Sequence, residues 1–372
     1  FVRSSQGTYT NCYSTTTTDK DNASINQFPS DKIASGKLCY LLNGSVDAGT
    51  TWTQTIGKDS YPIPFSIAQT VSHASTDCYT NLSVSDEKVQ LRNMSEMIKF
   101  AQEVEAGNTA MHASVTADID MSAGGYSPIG TTDNKYSGTF DGQGHVVTLN
   151  ISSNQEYQGL IGCATGGAVI QNVITRGYVN GSARCGGILG GSQGSGAISI
   201  LNCGNEANIT TTGVNAGGVH GCNNGSGVTY TLINCYNAGT VKGGSESAGI
   251  SGWLGNNATV TNCYNIGEVT GVDGTKTFAR WESGNYVNCY NRLSANSIAG
   301  RTDSYPMDKV RSGELCNKLG SAFTQDLSQE GHPSFGSKAV IAGKWFNDAE
   351  NDVYYNKEGD NYTVYQLNLD ET

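Results

Sequence analysis

Three copies of one short phrase decide the fold: Asn202-Cys203-Gly204-Asn205, Asn234-Cys235-Tyr236-Asn237 and Asn262-Cys263-Tyr264-Asn265. A glycine unit of the form Gly-apolar-x-Gly separates the copies, as in Gly218-Val219-His220-Gly221 and Gly249-Ile250-Ser251-Gly252. The first Asn of the phrase belongs to a longer series with steps of 30, 32, 28 and 26 residues, at Asn172, Asn202, Asn234, Asn262 and Asn288. A recurrence of this length predicts a stacked repeat architecture.

The residues around this Asn predict how each repeat turns. An apolar residue stands two positions before it, at Ile170, Ile200, Leu232, Val260 and Tyr286. Another stands one position after it, at Val173, Cys203, Cys235, Cys263 and Cys289. In a straight strand these two positions face opposite sides, but both face inward if the Asn forms a corner in left-handed backbone, which Asn tolerates. The pattern therefore predicts an all-β fold, a right-handed parallel β-helix with coils about 4.8 Å apart.

Composition and charge narrow the possible partners. The chain has 372 residues, of which 48 are Gly and only 6 are Pro, as expected for many short strands with tight turns. Its formal net charge of −11 argues against nucleic acid and against an anionic membrane surface as partners. No apolar run approaches the 18 residues of a membrane-spanning helix, so no membrane insertion is expected.

One strong helix signal precedes the coils. Asn93 and Glu96 form a capping-box pattern, with Asn93 as the N-cap. Apolar residues follow at helical spacing, and Gly107 stands where a C-terminal glycine belongs. The sequence therefore predicts a short amphipathic helix over about 94–106, which we expect to cover the N-terminal end of the β-helix.

The start of the chain repeats its later part. Residues 1–42 align without a gap to residues 278–319, and Asn11-Cys12-Tyr13 matches Asn288-Cys289-Tyr290. We therefore expect the chain to be a segment of a longer one with a repeat of roughly 280 residues. The predicted organisation is an end coil and C-terminal cap of a preceding unit over 1–72, a linker and capping helix over 73–110, the parallel β-helix over 111–299 and a C-terminal cap over 300–372.

The glycine units and the Asn-Cys-Tyr-Asn phrase resemble the GLUG-type repeat, over roughly residues 86–300. Proteins with such repeats include large surface and secreted proteins of gut bacteria, and similar repeats occur outside the catalytic domain of IgA-cleaving metallopeptidases. The resemblance implies an extracellular or cell-surface location in a bacterium. It implies an architecture more than an activity, because one fold supports many functions.

The recurrent cysteines have two interpretations. Cys12, Cys203, Cys235, Cys263 and Cys289 occupy equivalent positions and could hold a metal or form a redox site. However, none of them has the convergent Cys-x-x-Cys spacing of a metal site, and stacked side chains point in parallel, which disfavours disulfide geometry. We therefore expect a buried ladder of thiols, with no metal and no cofactor.

The tyrosines beside that ladder are the candidate ligand-binding residues. Tyr236, Tyr264 and Tyr290 follow the inward cysteines directly, so they are expected to face outward, with Tyr13 as their equivalent in the preceding unit. Stacked rings there could offer a platform for sugars. The alternative is mutual stacking that stabilises the parallel strands.

Asp118, Asp120, Asp141 and His145 are the best candidates for acid–base catalysis. A glycosidase needs two carboxylates in one cleft. However, Asp118 and Asp120 lie on one face of one strand, and Asp141-Gly142 has the composition of a turn, so turn formation and capping are the alternative.

Two functional hypotheses from different classes follow. The first is a non-enzymatic extracellular repeat module of a bacterial surface protein, a stalk or adhesin unit whose partners are a glycan or host surface protein and neighbouring repeat units. The alternative is a carbohydrate-active β-helix enzyme, a polysaccharide hydrolase or lyase that uses the four acid–base candidates.

Overall fold

The structure is a computed structural model of the chain. It describes residues 88–124, 127–255, 258–272, 274–280, 284–292, 302–325 and 331–335, with shorter segments at 12–14, 25–27, 33, 37–42, 52–53, 60–64, 84–85, 345–348, 353–358 and 361–366. By its internal contacts the chain divides into two compact units. The first comprises Phe1–Ser85 with Arg92–Phe100, and the second comprises Asp86–Leu91 with Ala101–Thr372.

The second unit is a parallel β-helix of about seven turns, which confirms the predicted fold class. Each coil contributes a strand to sheet A, turns at the repeated Asn, and then contributes to sheet B. Sheet A includes Lys88–Leu91, His112–Val115, Thr139–Asp141, Val169–Gln171, Ser195–Leu201, Gly227–Ile233, Thr259–Thr261 and Asn285–Val287. Sheet B contains Ile119–Asp120, Val146–Ser152, Ile174–Gly181, Gly204–Asn205, Asn208–Thr211, Tyr236–Asn237, Val241–Lys242, Tyr264–Asn265, Val269–Thr270, Tyr290–Asn291 and Asp303–Ser304.

After sheet B, a second turn leads to sheet C, which closes the coil. Sheet C contains Ile161–Ala164, Leu189–Ser192, His220–Asn223 and Ser251–Trp253. Cys185–Gly186 and Ala216–Gly217 form a short parallel pair in the same coils, just after the second turn. The coil interior is filled by side chains such as Ile170, Ile200 and Leu232, all fully buried, so the solenoid is a packed core and not a channel.

The repeated asparagines form the first corner as predicted. All five have left-handed backbone, with φ between 51° and 57°. Their side-chain amides form a ladder in which each Nδ2 donates to the Oδ1 one coil earlier in the chain. The bonds run from Asn288 to Asn262, from Asn262 to Asn234, from Asn234 to Asn202 and from Asn202 to Asn172, at 2.5, 2.7, 2.8 and 2.9 Å.

The second Asn of the phrase forms another ladder, inside the coil. Asn205 donates to Asn237 at 2.7 Å, Asn237 to Asn265 at 2.8 Å, and Asn265 to Asn291 at 3.2 Å. These four side chains are at most 1% exposed, and the amides donate towards the later coil. The glycine unit makes room for them, because a Cβ at Gly218 would lie 2.2 Å from the side chain of Asn237.

The cysteines form the predicted buried ladder. Cys203, Cys235, Cys263 and Cys289 are at most 3% exposed, and none of the nine cysteines that the structure describes is in a disulfide. Each of the four thiols donates to the carbonyl oxygen two residues earlier, as from Cys203 to Leu201 at 3.2 Å. Burial raises the pKa of the Cys289 thiol to about 12, so it stays protonated and unreactive. The side chain of Cys12 lies outside the described residues.

The predicted helix is present as Met94–Glu105. The Asn93 side chain accepts a hydrogen bond from the Glu96 N–H at 3.0 Å, as an N-cap does, and Glu96 accepts from the Arg92 N–H at 2.7 Å. Gly107 ends the helix with a φ of 108°. At its C-terminal end the Asn134 side chain donates to the Glu105 carbonyl oxygen at 2.8 Å, which attaches this end to the coil that contains Asn134.

The repeated terminal segment has the same local fold in both copies. In the first unit, Cys12–Ser14 pairs in parallel with Ile25–Gln27, with Tyr13 opposite Asn26. In the second unit, 277 residues later, Tyr290 pairs in parallel with Asp303. The helix Lys37–Leu42 of the first unit likewise corresponds to Glu314–Leu319 of the second.

The antiparallel pairing that follows is repeated as well. Thr53 lies opposite Ile63 within the strands Trp52–Thr53 and Ile63–Pro64 of the first unit. In the second unit, Thr324 forms an antiparallel bridge with Ser334. The sequence repeat is therefore a repeat of structure. The strand Val84–Ser85 completes the described strands of the first unit.

The remaining elements belong to the C-terminal part of the second unit. The helices Met307–Arg311 and Glu314–Leu319 are followed by a 3₁₀ turn over Gly320–Ala322. Further on, Trp345–Asp348, Val353–Glu358 and Asn361–Gln366 form an antiparallel three-stranded sheet. Among the described residues, every helix is too short or too polar to cross a bilayer.

Asn234 provides a test of the first corner. Replacing Asn234 with Gly keeps the left-handed backbone accessible but removes two amide hydrogen bonds, so we expect a loss of roughly 1–3 kcal/mol in unfolding free energy. Replacing it with Ala should cost about 1–2 kcal/mol more, because Ala also resists the left-handed conformation. Urea unfolding of the two variants measures both values. Equal stabilities for Ala and Gly would contradict the corner assignment.

Candidate functional site

Asp118 and His145 each lie directly before a strand of sheet B, and Asp120 is the last residue of the strand Ile119–Asp120. The Asp118 carboxylate accepts from the Val146 N–H at 3.0 Å and lies 3.1 Å from His145 Nδ1. The Val146 hydrogen bond is the main reason why the pKa of Asp118 is lowered from 3.8. Asp120 accepts from the Ser122 N–H at 2.8 Å, and its pKa is lowered by the hydrogen bonds from Ser122. These contacts fit the turn and capping role, and a catalytic role for the three residues stays a prediction.

Asp141 ends the first-corner ladder at its N-terminal side. Its Oδ1 accepts from Asn172 Nδ2 at 3.0 Å and from the Gln143 N–H at 3.1 Å. Its Oδ2 accepts from Gln171 Nε2 at 2.9 Å and from Lys88 Nζ at 3.1 Å. Burial acts to raise the pKa of Asp141, but these four donors outweigh it, and the pKa is lowered from 3.8. All four hydrogen bonds favour the ionised acceptor, which fits a role for Asp141 at the end of the ladder, and a catalytic role for Asp141 stays a prediction.

The tyrosines that follow the cysteines do project out of the coil, but they are not a surface for sugars. Tyr236 and Tyr264 are fully buried, and Tyr290 is 6% exposed. Tyr236 and Tyr264 stack with ring centroids 5.3 Å apart and planes 8° apart. The expectation of an exposed aromatic platform is therefore wrong, and the mutual-stacking alternative is correct for this pair.

The chain segment that follows the last coil, beginning with the strand Asp303–Ser304, covers these rings. Tyr236, Tyr264 and Tyr290 form one buried apolar cluster with residues of the two C-terminal helices and the turn after them, namely Val310, Leu315, Cys316, Leu319 and Phe323. The Phe323 ring meets Tyr264 edge-on at 5.6 Å, and Tyr264 donates to the carbonyl oxygen of Pro333. The segment thus packs on the side of the coils, and its strand Asp303–Ser304 also extends sheet B at the last coil.

The interior of the coils contains a polar group that the sequence analysis missed. His220 is fully buried, and its Nδ1 lies 2.8 Å from Ser251 Oγ. Its ring lies 4.5 Å from that of Tyr230, and His220 Nε2 has no hydrogen-bond partner among the described residues. Burial lowers the pKa of His220 to about 3, so the ring is neutral. In sheet C its equivalents are Leu189 and Ser251, so only the pairing register shows that it lies in an inward row.

An open groove of about 670 Å³ lies in the second unit. Two carboxylates, Glu105 and Glu156, lie in its wall with the ring of Tyr157. The other lining residues are Ser127, Pro128, Gly130, Thr131, Thr132, Asn150, Ile151, Ser152, Ser153, Gln155 and Gln158. Such a lining of hydroxyl, amide and carboxylate groups suits a hydroxyl-rich ligand better than an apolar one.

No protein-family model and no curated protein matches the chain in sequence. A crystal structure from Bacteroides ovatus, described as a "putative immunoglobulin A1 protease", is similar in structure with a TM-score of 0.50. The similarity covers 68% of this chain and 93% of that one, at 20% sequence identity. At this identity the likeness supports the β-helix fold and does not extend to activity.

Asp141→Asn tests the ladder terminus. The substitution replaces one carboxylate oxygen with an NH₂ group, which cannot accept the hydrogen bonds that this oxygen accepts in the wild type. We therefore expect a loss of about 1–3 kcal/mol in unfolding free energy at pH 7. Because the folded pKa of Asp141 lies below its unfolded value, the stabilisation is present above the unfolded pKa and is lost as pH falls through the folded pKa. The gap between wild type and variant, measured by urea unfolding at several pH values, should therefore close below about pH 4.

Asp120→Asn is the control for this experiment, because an amide oxygen can still accept from Ser122. We expect it to change stability at pH 7 by less than about 0.5 kcal/mol. A gap for Asp141→Asn that stays constant from pH 7 to pH 3 would contradict the role of the Asp141 charge.

Tyr264 tests the covered aromatic cluster. Tyr264→Ala removes a fully buried ring and should cost about 3–5 kcal/mol of unfolding free energy. Tyr264→Phe keeps the ring but loses its hydrogen bonds and should cost about 1 kcal/mol. Tyr178, which is 39% exposed on the same sheet, serves as the control, and Tyr178→Ala should change stability by less than about 1 kcal/mol. A Tyr264→Ala variant as stable as Tyr178→Ala would indicate an uncovered ring.

Proposed function

We propose that this chain is a non-enzymatic extracellular repeat module of a bacterial surface protein. It would serve as a stalk or adhesin unit that presents or binds a glycan or a host surface protein. The observation that carries the proposal is the repeated terminal segment, which forms the same pairs of strands in both units. Tandem units of one fold extend reach and multiply weak contacts, as surface attachment requires.

The role of the acid–base candidates also favours a module without catalysis. The oxygens of Asp141 accept four hydrogen bonds, and Asp120 holds a turn. In contrast, the open groove next to Glu156 and Tyr157 provides hydroxyl, amide and carboxylate groups on a stable surface. The resemblance of the coils to GLUG-type repeats agrees with a location outside the cell, and neighbouring repeat units are the expected partners within the same protein.

Two measurements test the proposal. The immobilised chain is exposed to a glycan array and to host matrix proteins, and we expect retention of at least one of them. The soluble chain is also incubated with assorted polysaccharides, and we expect neither new reducing ends nor unsaturated products.

Product formation that is lost in Glu105→Gln or Glu156→Gln, with the melting temperature unchanged, would overturn the proposal in favour of a hydrolase or lyase. Antibody labelling of intact producing cells should detect the chain at the surface. Labelling that appears only after lysis would contradict the location.

A further inference from the structure

The outward side of sheet A carries no charge over five successive coils. Its strands there are Val169–Gln171, Ser195–Leu201, Gly227–Ile233, Thr259–Thr261 and Asn285–Val287, and none of their residues is Asp, Glu, Lys, Arg or His. Their outward-facing residues, which alternate with buried ones, are termed the sheet A face. This face includes Val169, Gln171, Ala197, Ser199, Leu201, Thr229, Thr231, Ile233, Thr259, Thr261, Asn285 and Val287.

The other two sheets have charged groups on their outward sides. On sheet B, Arg176 pairs with Glu206 and is 54% exposed. Across sheet C, the guanidinium of Arg280 lies 4.6 Å from the centre of the Trp253 ring. Because the whole chain has a net charge of −11, two copies repel each other at long range. The sheet A face is therefore a side on which two copies can meet without bringing like charges together.

One row of the sheet A face is mainly aliphatic. The strand register places Gln171, Leu201, Ile233, Thr261 and Val287 in this row, one residue from each coil. Val287 is 49% exposed, and Leu201 and Ile233 are half-buried. Removal of their remaining apolar surface from water favours association of this face with a partner.

The composition of the face suits a protein partner better than a sugar. The aromatic residues of the five strands are Tyr230 and Tyr286, which point inward and are 2% and 8% exposed. These strands therefore offer no ring on which a pyranose could pack. Instead, most outward residues are Thr, Val, Ile, Leu or Ser, and side chains of this size fill the contact between two sheets packed face to face.

A second copy of this chain matches the face in spacing as well as in charge. Coils lie about 4.8 Å apart in both copies, so the ridges of side chains on one copy have the same period as the grooves on the other. A two-fold axis through the central strand Gly227–Ile233 would bring the same surface of both copies together. Thr231 and Ile233 then lie close to the axis.

We propose that the sheet A face is a homotypic contact through which two copies of this chain associate, sheet against sheet, about a two-fold axis. The contact is made by the row of Leu201, Ile233 and Val287 together with Thr231 and its neighbours. This inference goes beyond the proposed function, because a second copy is a partner in addition to a glycan or a host surface protein.

The size of the face sets the strength of the contact. The five strands are 3 to 7 residues long. With about 4.8 Å between strands and about 3.3 Å per residue, they give a face of roughly 250–550 Å². A stable interface buries about 800 Å² per partner, so we expect a weak dimer with a dissociation constant of roughly 0.1–1 mM. Tandem units on neighbouring chains would multiply such weak contacts.

Sedimentation equilibrium of the whole chain, from about 10 µM to about 1 mM, tests the proposal. We expect a reversible equilibrium between monomer and dimer. Thr231→Glu and Thr231→Lys each place like charges opposite one another across the axis, so each should raise the dissociation constant at least tenfold. An equimolar mixture of the two variants sets opposite charges against each other and should associate at least as tightly as wild type. Because Thr231 is half-buried on the outward side, we expect all the variants to remain folded, which their melting temperatures check.

Thr270→Glu is the matched control, because it adds the same charge at an exposed position on sheet B, opposite Lys242. It should leave the dissociation constant unchanged. A chain that stays monomeric up to about 1 mM would overturn the homotypic contact while leaving the proposed function intact. Association that Thr231→Glu does not weaken, or that Thr270→Glu weakens equally, would overturn the assignment of the face. Failure of the mixed variants to associate would overturn the two-fold pairing. Binding of a polysaccharide or host protein by a monomeric chain, lost in Thr231→Glu, would overturn the choice of partner.

Discussion

Side-chain amides that bond from coil to coil are the interaction on which the rest of the structure depends. A parallel stack of short strands has no covalent restraint on its register, and a slip of one residue would turn every inward side chain outward. The two Asn ladders prevent such a slip, because each amide both donates and accepts at one height in the stack. They also run in opposite directions, since first-corner amides donate towards earlier coils and interior amides towards later ones.

The ends of the ladders explain residues that otherwise look like candidates for chemistry. A row of aligned amides presents its N–H end at the N-terminal end of the ladder, where Asp141 accepts from Asn172. A carboxylate is the strongest acceptor available there, so its pKa is lowered by the same bonds that complete the ladder. At the other end the Tyr290 hydroxyl donates to Asn288 at 2.5 Å, so a residue proposed as a sugar platform terminates the ladder instead.

Features with a local sequence pattern were predicted correctly, whereas features that depend on contacts between distant parts of the chain were missed. The corner Asn, the inward cysteines and the capping helix were predicted because each has a local physical signature in every copy or at a helix end. The burial of the tyrosines was missed because it depends on contacts with residues 15 to 98 positions away in the chain. A usable signal existed, since Leu315, Leu319 and Phe323 recur every four residues and need an apolar partner. The second corner of the coils, between sheets B and C, lies at Tyr157, Arg184, Asn215, Glu246 and Gly274. It shares no residue type, so only the pairing of strands reveals it.

The two corners divide the work of the solenoid between them. Five amide bonds along the first corner, counting the one to Asp141, contribute about 1 kcal/mol each, which is comparable to the roughly 1–2 kcal/mol for each of three strained residues at the second. A uniform corner can therefore stabilise coils whose other corner is occupied by residues unsuited to its backbone. Since the first corner already fixes the register, the second is free to vary from coil to coil without loss of the fold.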